Sequence, residues 1–157
     1  MSRGQFVHLH LHTQYSLLDG VIGIPDAIDR ANEYEMTALA VTDHGNLFGA
    51  LEFYSEASTR GIKPIIGCEV YVAPGSRFTQ STGPGEPHSH HLILLCENET
   101  GYRNLCRLVT KGYQEGLHHN EPRIDAELLQ KYNEGLIHMF EFVPKRRDCK
   151  VHYGRRR

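Results

Sequence analysis

Histidine and carboxylate recur at set places in the first ninety residues of this chain. His8, His10 and His12 alternate along an apolar stretch, and Asp19 follows seven residues after His12. Thr42-Asp43-His44-Gly45-Asn46 closes a second apolar run, Glu69 sits inside Ile65-Ile66-Gly67-Cys68-Glu69-Val70-Tyr71-Val72, and His91 opens a fourth run. Imidazole and carboxylate together suit Zn²⁺, Mn²⁺ or Fe²⁺, whereas an oxygen-only set suits Mg²⁺ better. Metal ions held this way activate a water and neutralise charge developing on a phosphoryl group, so the chemistry expected is metal-dependent hydrolysis. Each piece also has a plainer reading. An HxH pair is common on a strand face, and Asp, Gly and Asn are ordinary turn residues. Glu69 is harder to explain away, because a carboxylate inside an apolar strand costs several kcal/mol unless it is paired or bound to metal. His88 and His90 read as a polar loop, His118 and His119 as a solvent-facing connector, and His8 as either a ligand or a hydrogen-bonded core residue. Cys68, Cys96 and Cys106 read as small core hydrophobes.

Elements must bring these groups together. Residues 6–10 alternate like a strand, with His8, His10 and His12 on one side and Val7, Leu9 and Leu11 on the other. Ile24, Ala27, Ile28, Ala31 and Tyr34 fall at helical spacing, with Pro25 in the first turn. Residues 38–42 form a buried strand, and Leu47, Ala50, Leu51, Tyr54 and Ala57 form a second helical stripe stopped by Gly61. Residues 63–73 are β-branched and strand-like, 74–87 are a Gly/Ser/Pro-rich loop, and 91–96 are a strand. Tyr102, Leu105, Cys106 and Val109 mark a third helix, Asp125 caps a fourth through Leu128, Leu129 and Tyr132, and Leu136 begins a fifth strand. Such alternation predicts a parallel sheet with crossover helices, either doubly wound or part of a (β/α) barrel; periodicity does not choose between them. In either case side chains at strand ends converge on one spot.

Composition narrows the function classes. A net charge of −2 argues against a generic nucleic-acid electrostatic footprint. The apolar stretch 92–96 is far short of a membrane span, and the N-terminus lacks an apolar leader core, so a cytoplasmic chain is expected. The four cysteines show no CxxC spacing, which speaks against a thiolate zinc site and for reduced thiols. Charge is unevenly spread: residues 138–157 carry seven Lys/Arg against two Asp/Glu, while residues 1–137 carry ten against seventeen.

LHLHTQYSLLDG (9–20), ALAVTDHGNLFGALEFY (38–54), GIKPIIGCEVYVAPG (61–75), HHLILLCENETGYRNLCRLVTKGYQEG (90–116) and PRIDAELLQKYNEGLI (122–137) resemble the PHP (polymerase and histidinol phosphatase) domain. The resemblance is strongest to the branch at the N-terminus of bacterial DNA polymerase III alpha subunits, and it covers roughly 5–137. It implies a distorted seven-stranded (β/α) barrel, of which this chain supplies about the first four and a half units. It implies metal ligands at His10, His12, Asp19, His44, Glu69 and His91, with Asp43 orienting a neighbouring histidine. It makes His91 a ligand although that residue precedes its strand, so either the strand runs against its neighbours or the loop before it folds back over the site. Family functions so implied are metal-dependent phosphoesterase or 3′–5′ exonuclease chemistry in a DNA replicase. DNA, other replicase subunits and a proofreading exonuclease are the partners, and no membrane is involved. A stand-alone phosphatase of the histidinol-phosphatase type and a non-catalytic, metal-stabilised interaction module are the alternatives. Residues 138–157 depart from the family text and read as a frameshifted or disordered basic tail, so domain boundaries at 1–137 and 138–157 are expected. The later ligands and the polymerase active site are then missing, leaving a weak or inactive site. A barrel of the usual kind needs about 250 residues, so uncovered sheet edges and a tendency to aggregate are also expected.

Overall fold

The computed structural model describes residues 6–80 and 87–140. In chain order the elements are α1 (Ile24–Glu33), β1 (Ala38–Val41), α2 (Ala50–Thr59), β2 (Lys63–Val72), β3 (His90–Cys96), α3 (Glu99–Glu115), β4 (Leu117–His118), β5 (Glu121–Ile124), α4 (Ala126–Lys131) and β6 (Leu136–Phe140). The architecture is a mixed α/β sheet with helices.

β2 is the spine. Its first half pairs in parallel with β1, from Ala38↔Lys63 to Val41↔Ile66, and its last two residues pair in parallel with β5. Along the opposite edge β3 runs antiparallel, from Gly67↔Leu95 to Val72↔His90. β6 continues antiparallel on β3, and β4 forms a short hairpin with β5. The all-parallel expectation is therefore corrected. A parallel neighbour needs a crossover, usually helical; among the described residues between β2 and β3 there is no helix, and β3 simply turns back. His90, expected in a loop, is the first residue of β3.

Pleating sorts the spine's side chains onto two faces. Ile66 packs with α1, α2 and β1 in a cluster built on Ile24, Ile28, Leu39 and Phe53. Cys68, Val70 and Val72 pack with Leu92, Leu94, Leu105, Leu108 and Ile124, where α3 and α4 cover the sheet. The other face carries Ile65 in a small apolar group with Ala40, Ile93, Leu95, Leu9 and Met139. Glu69 and Tyr71, two and four residues beyond Gly67, lie on that same face.

Helix boundaries follow local chemistry. Pro25 occupies the first turn of α1, the Asn98 side chain accepts the Gly101 N–H to cap α3, and Asp125 accepts the Leu128 N–H to cap α4. Two expected stripes are rotated. In α2 the buried residues are Ala50, Phe53 and Ala57, while Leu51 and Tyr54 are exposed and Leu47 precedes the helix. Tyr34 likewise ends α1 as an exposed cap rather than closing its stripe. The small residues Ala50 and Ala57 let α2 approach β2 closely, and Phe53 fills the space between them.

The strand expected over 6–10 does not form a regular ladder. Ala40 N–H donates to His8 O and Thr42 N–H donates to Leu11 O, both at 2.9 Å. One side advances two residues while the other advances three, so an extra residue interrupts the pairing in the manner of a bulge. As a result Leu9 joins the Ala40–Ile93 group while Leu11 joins the α1–α2 cluster. The even alternation read from sequence would have put both on one side. His8 is exposed, in a T-shaped contact with the Phe6 ring, rather than in the core. β6 runs from Leu136 through Phe140, so the boundary placed after Ile137 falls inside a strand. Residues 141–157, with Cys149 and the rest of the basic tail, lie outside the described residues.

Candidate metal centre

Backbone pairing puts the two best candidates side by side. Beyond Val41 the chain continues along β2: Glu69 N–H donates to Asp43 O at 3.1 Å and Gly45 N–H donates to Glu69 O at 2.8 Å, forming an isolated bridge between His44 and Glu69. Gly45 takes φ +60°, and a Cβ there would lie 2.9 Å from Pro122 Cγ, so the turn after His44 requires glycine. On the far side of β2, Tyr71 pairs with His91 and Glu69 with Ile93. His91 thus stands at the end of β2 because β3 is antiparallel.

The loop carrying His10 and His12 is fastened by Asp43. Its Oδ1 accepts the Thr13 N–H (2.6 Å) and the Ser16 hydroxyl (2.7 Å), and its Oδ2 accepts the Thr13 hydroxyl (2.8 Å). Ser16 Oγ in turn accepts the His44 N–H at 3.1 Å. Asp43, expected to orient a neighbouring histidine, ties down the 13–16 turn beneath the site, and that turn holds the His44 N–H through Ser16. Its carboxylate points at the turn because Asp43 follows β1 one pleat out of phase with His44. Thr13 and Ser16 carry no sequence signal that distinguishes them from ordinary loop residues.

Glu69 is the centre of the cluster. Its side chain is 2% exposed, against 17% for His44, 22% for His12, 32% for His10 and 38% for His91, so the ligand-type groups open outward from a buried carboxylate. Oε2 lies 2.7 Å from both His10 Nε2 and His12 Nε2, which are 3.0 Å from each other. Oε1 contacts His91 Nδ1 and lies 3.6 Å from His44 Nδ1. Two groupings capable of holding a metal result, His10–His12–Glu69 and His44–Glu69–His91, sharing Glu69. Asp19 is at the rim, 65% exposed, with Oδ2 3.8 Å from His44 Nε2. The structure therefore gathers four of the six expected ligands around a fifth, Glu69, and leaves Asp19 touching only the edge.

Two observations test whether these residues fit a cation. His44 Nδ1 is buried and is the one such side-chain atom among the described residues lacking a hydrogen-bond partner. Such an orphan is costly unless another ligand satisfies it. The donor set is also apt: neutral imidazoles and a bridging carboxylate are what Zn²⁺, Mn²⁺ and Fe²⁺ prefer. Burial lowers the pKa of His44, favouring the neutral, coordinating ring. Burial pushes the Glu69 carboxyl up, but hydrogen bonds from His91 and His12 and the nearby His44 and His10 rings outweigh it and hold it at about 2. Glu69 is thus an anion at any physiological pH. His and Glu groups here fit a metal site.

Tyr71 was missed by sequence reasoning. Its ring stacks on His44 at 6.0 Å and meets His91 edge-on at 5.0 Å, and burial, with Glu121 and Glu69 nearby, pushes its phenol up to about 12. The signal was there: Tyr71 is two residues from Glu69 and shares its face. His118, expected to face solvent, is buried.

With this geometry in place, comparison with known proteins adds a family. The PHP domain family matches residues 8–153. The chain is 52% identical over 132 residues to the DNA polymerase III subunit alpha of Chlamydia pneumoniae, covering 84% of this chain and 11% of the relative. It is 52% identical over 135 residues to that of Borreliella burgdorferi (86% and 12%) and 53% identical over 137 residues to that of Treponema pallidum (87% and 12%). The chain thus spans little more than a tenth of these relatives' length. Among solved structures, a protein from Bifidobacterium adolescentis named as a metal-dependent phosphoesterase superposes with a TM-score of 0.50 at 15% identity, over 70% of this chain and 34% of that one, a likeness of fold. From its strand-end histidines to its matched text, this chain belongs to the PHP domain family.

Proposed function

We propose that this chain is the PHP module of a bacterial replicative DNA polymerase of the subunit-alpha type, and that the Glu69 cluster is a divalent-metal site for phosphoester hydrolysis on DNA. The observation that carries this reading is a buried carboxylate with imidazoles on both of its oxygens. His10, His12 and Glu69 would hold one ion and His44, Glu69 and His91 another, with Asp19 reaching in from the rim; Zn²⁺, Mn²⁺ or Fe²⁺ suits the set. Bound there, the metal would activate water and offset charge on the phosphoryl group.

The chain's own residues have distinct parts. Glu69, ionised, holds the two groupings in fixed relation. Asp43 fixes the turn on which His12 depends, through Thr13 and Ser16. The Tyr71 phenol, kept protonated, can donate a hydrogen bond to a substrate oxygen beside His44 and His91. In the parent polymerase, DNA, the other replicase subunits and a proofreading exonuclease are the partners this reading assigns, with the cytoplasm as its compartment.

The test is metal content after purification, followed by hydrolysis assays with Mn²⁺ and Zn²⁺ on single-stranded DNA and on a small phosphate monoester. Metal retention with DNA cleavage that His12→Ala abolishes supports the reading. Monoester turnover without DNA cleavage would favour a stand-alone phosphatase, and metal without turnover a stabilised interaction module; either outcome overturns it.

A further inference from the structure

A second cluster of imidazoles lies apart from Glu69 and shares no residue with it. His88, at the foot of β3, and His118 and His119, in the β4–β5 hairpin, bring one ring nitrogen each to within 4.8 Å of one another. The ring centroids are 4.2 Å apart for His118–His119, 4.8 Å for His88–His119 and 5.5 Å for His88–His118. We propose that these three histidines form a second metal site, for a divalent transition ion that prefers imidazole, such as Zn²⁺, Ni²⁺ or Cu²⁺.

The arrangement is built rather than accidental. Successive residues of a strand point to opposite faces, so His118 and His119 would ordinarily diverge. They meet because the two-residue turn His119-Asn120 takes left-handed backbone at both positions, φ 49° and 67°. This is the geometry of a type I′ hairpin turn, which Asn and Gly favour and histidine adopts less readily. The hairpin thus accepts a strained histidine at the position that turns its ring onto its neighbour. His88 is held against the hairpin from its own side: Arg123 Nη1 donates to His88 O at 3.1 Å, and the Ser89 hydroxyl donates to Glu121 Oε2 at 2.6 Å.

His118 is prepared as a ligand. It is buried, and its Nδ1 donates to Gln80 Oε1 at 3.0 Å. An amide oxygen only accepts, so Nδ1 carries the proton and Nε2 keeps the lone pair available to a metal, as metal-binding histidines are commonly set by an outer hydrogen bond. Burial, followed by Arg123 and the other two histidines, lowers the pKa of His118. The Arg123 guanidinium is occupied by the carbonyls of Gly116, His88 and Thr79, and the Glu121 carboxylate offsets its charge on the cluster. With metal–nitrogen bonds of about 2.0–2.1 Å, tetrahedral ligands sit roughly 3.4 Å apart. Bound metal would draw the three nitrogens from within 4.8 Å to that spacing.

The experiment is a titration of the whole chain with Ni²⁺, and separately Zn²⁺, followed by calorimetry. Four proteins are compared: wild type, Glu69→Gln to disable both groupings at Glu69, that variant combined with His88→Ala/His119→Gly, and the double variant His88→Ala/His119→Gly alone. The last variant removes two exposed rings and relieves the turn, so its circular dichroism should match wild type. The expected result is one fewer bound equivalent in the double variant than in wild type, and retention of that equivalent in Glu69→Gln. With Cu²⁺, electron paramagnetic resonance of Glu69→Gln should show nitrogen couplings that the combined variant lacks. Equal stoichiometry and affinity in wild type and double variant, or identical Cu²⁺ spectra, would overturn the proposal.

Discussion

Glu69 concentrates the chemistry of the molecule in one side chain. Its ionisation is maintained against burial by the imidazoles around it, so removing its charge should undo the cluster while leaving the strand intact. Glu69→Gln keeps the shape and loses the anion. Metal content by mass spectrometry should fall to background at the Glu69 cluster, and the apo fold should persist by circular dichroism; metal retained at wild-type level would mean that the imidazoles suffice. Metal uptake should also weaken on acidification, because protons compete for the same imidazole lone pairs. At this scale the sequence was legible. Glu69 announces itself as a carboxylate in an apolar strand, and His44 as the histidine at a strand end. Asp43 stands beside His44 in sequence, but its bonds go to Thr13 and Ser16, 30 and 27 residues earlier, which only the fold brings to it.

Elements hold these residues through a few special contacts. Arg77 is buried and bonds both oxygens of Asp125 at 2.9–3.0 Å, with Glu115 and Glu127 beside it, tying the β2–β3 connection to the cap of α4. Burial raises the Asp125 pKa, but the Arg77 and Leu128 N–H groups and the Arg77 guanidinium overcome it, and the net shift is downward. A carboxyl depressed in the folded state contributes stability above its unfolded pKa of about 3.9, lost as pH falls through the lower folded value. Asp125→Asn should therefore cost about 3 kcal/mol at pH 7, since one partner of a buried pair is removed. The gap in melting temperature from wild type should narrow below about pH 4; a gap independent of pH would contradict the ion pair. Gly45→Ala tests the turn after His44. A left-handed alanine costs about 1–2 kcal/mol, and the contact with Pro122 adds to it, so thermal stability and metal affinity should fall together. If affinity falls alone, the turn shapes the site without strain.

For the whole molecule, the notable feature is apolar surface. Leu17, Leu18, Val21, Phe48 and Leu51 are all more than two-thirds exposed. Such residues promote association when clustered. Replacing Leu17, Leu18 and Val21 with Ser should change unfolding free energy by under about 0.5 kcal/mol each, yet raise the monomer fraction in sedimentation velocity. A large loss of stability would show that they pack inward in solution. Among the described residues no helix is long and apolar enough to cross a membrane.

By itself the sequence determined the strands β1, β2 and β3, the cap at Asp125, Pro25 in the first turn of α1, and the ligand-type residues, because these follow from local propensity, periodicity and the cost of burying a charge. Its resemblance to the PHP family rests on the same residues. Only tertiary structure decided the sheet's mixed direction, the bulge that splits Leu9 from Leu11, the turned face of α2, and the meeting of His118 with His119 and His88. The sheet directions and the bulge depend on pairing between segments distant in the chain, and the face of α2 and the approach of His88 depend on packing between such segments. His91 shows the difference most plainly: its place in the sequence puts it before a strand, and only antiparallel pairing with β2 carries it to Glu69.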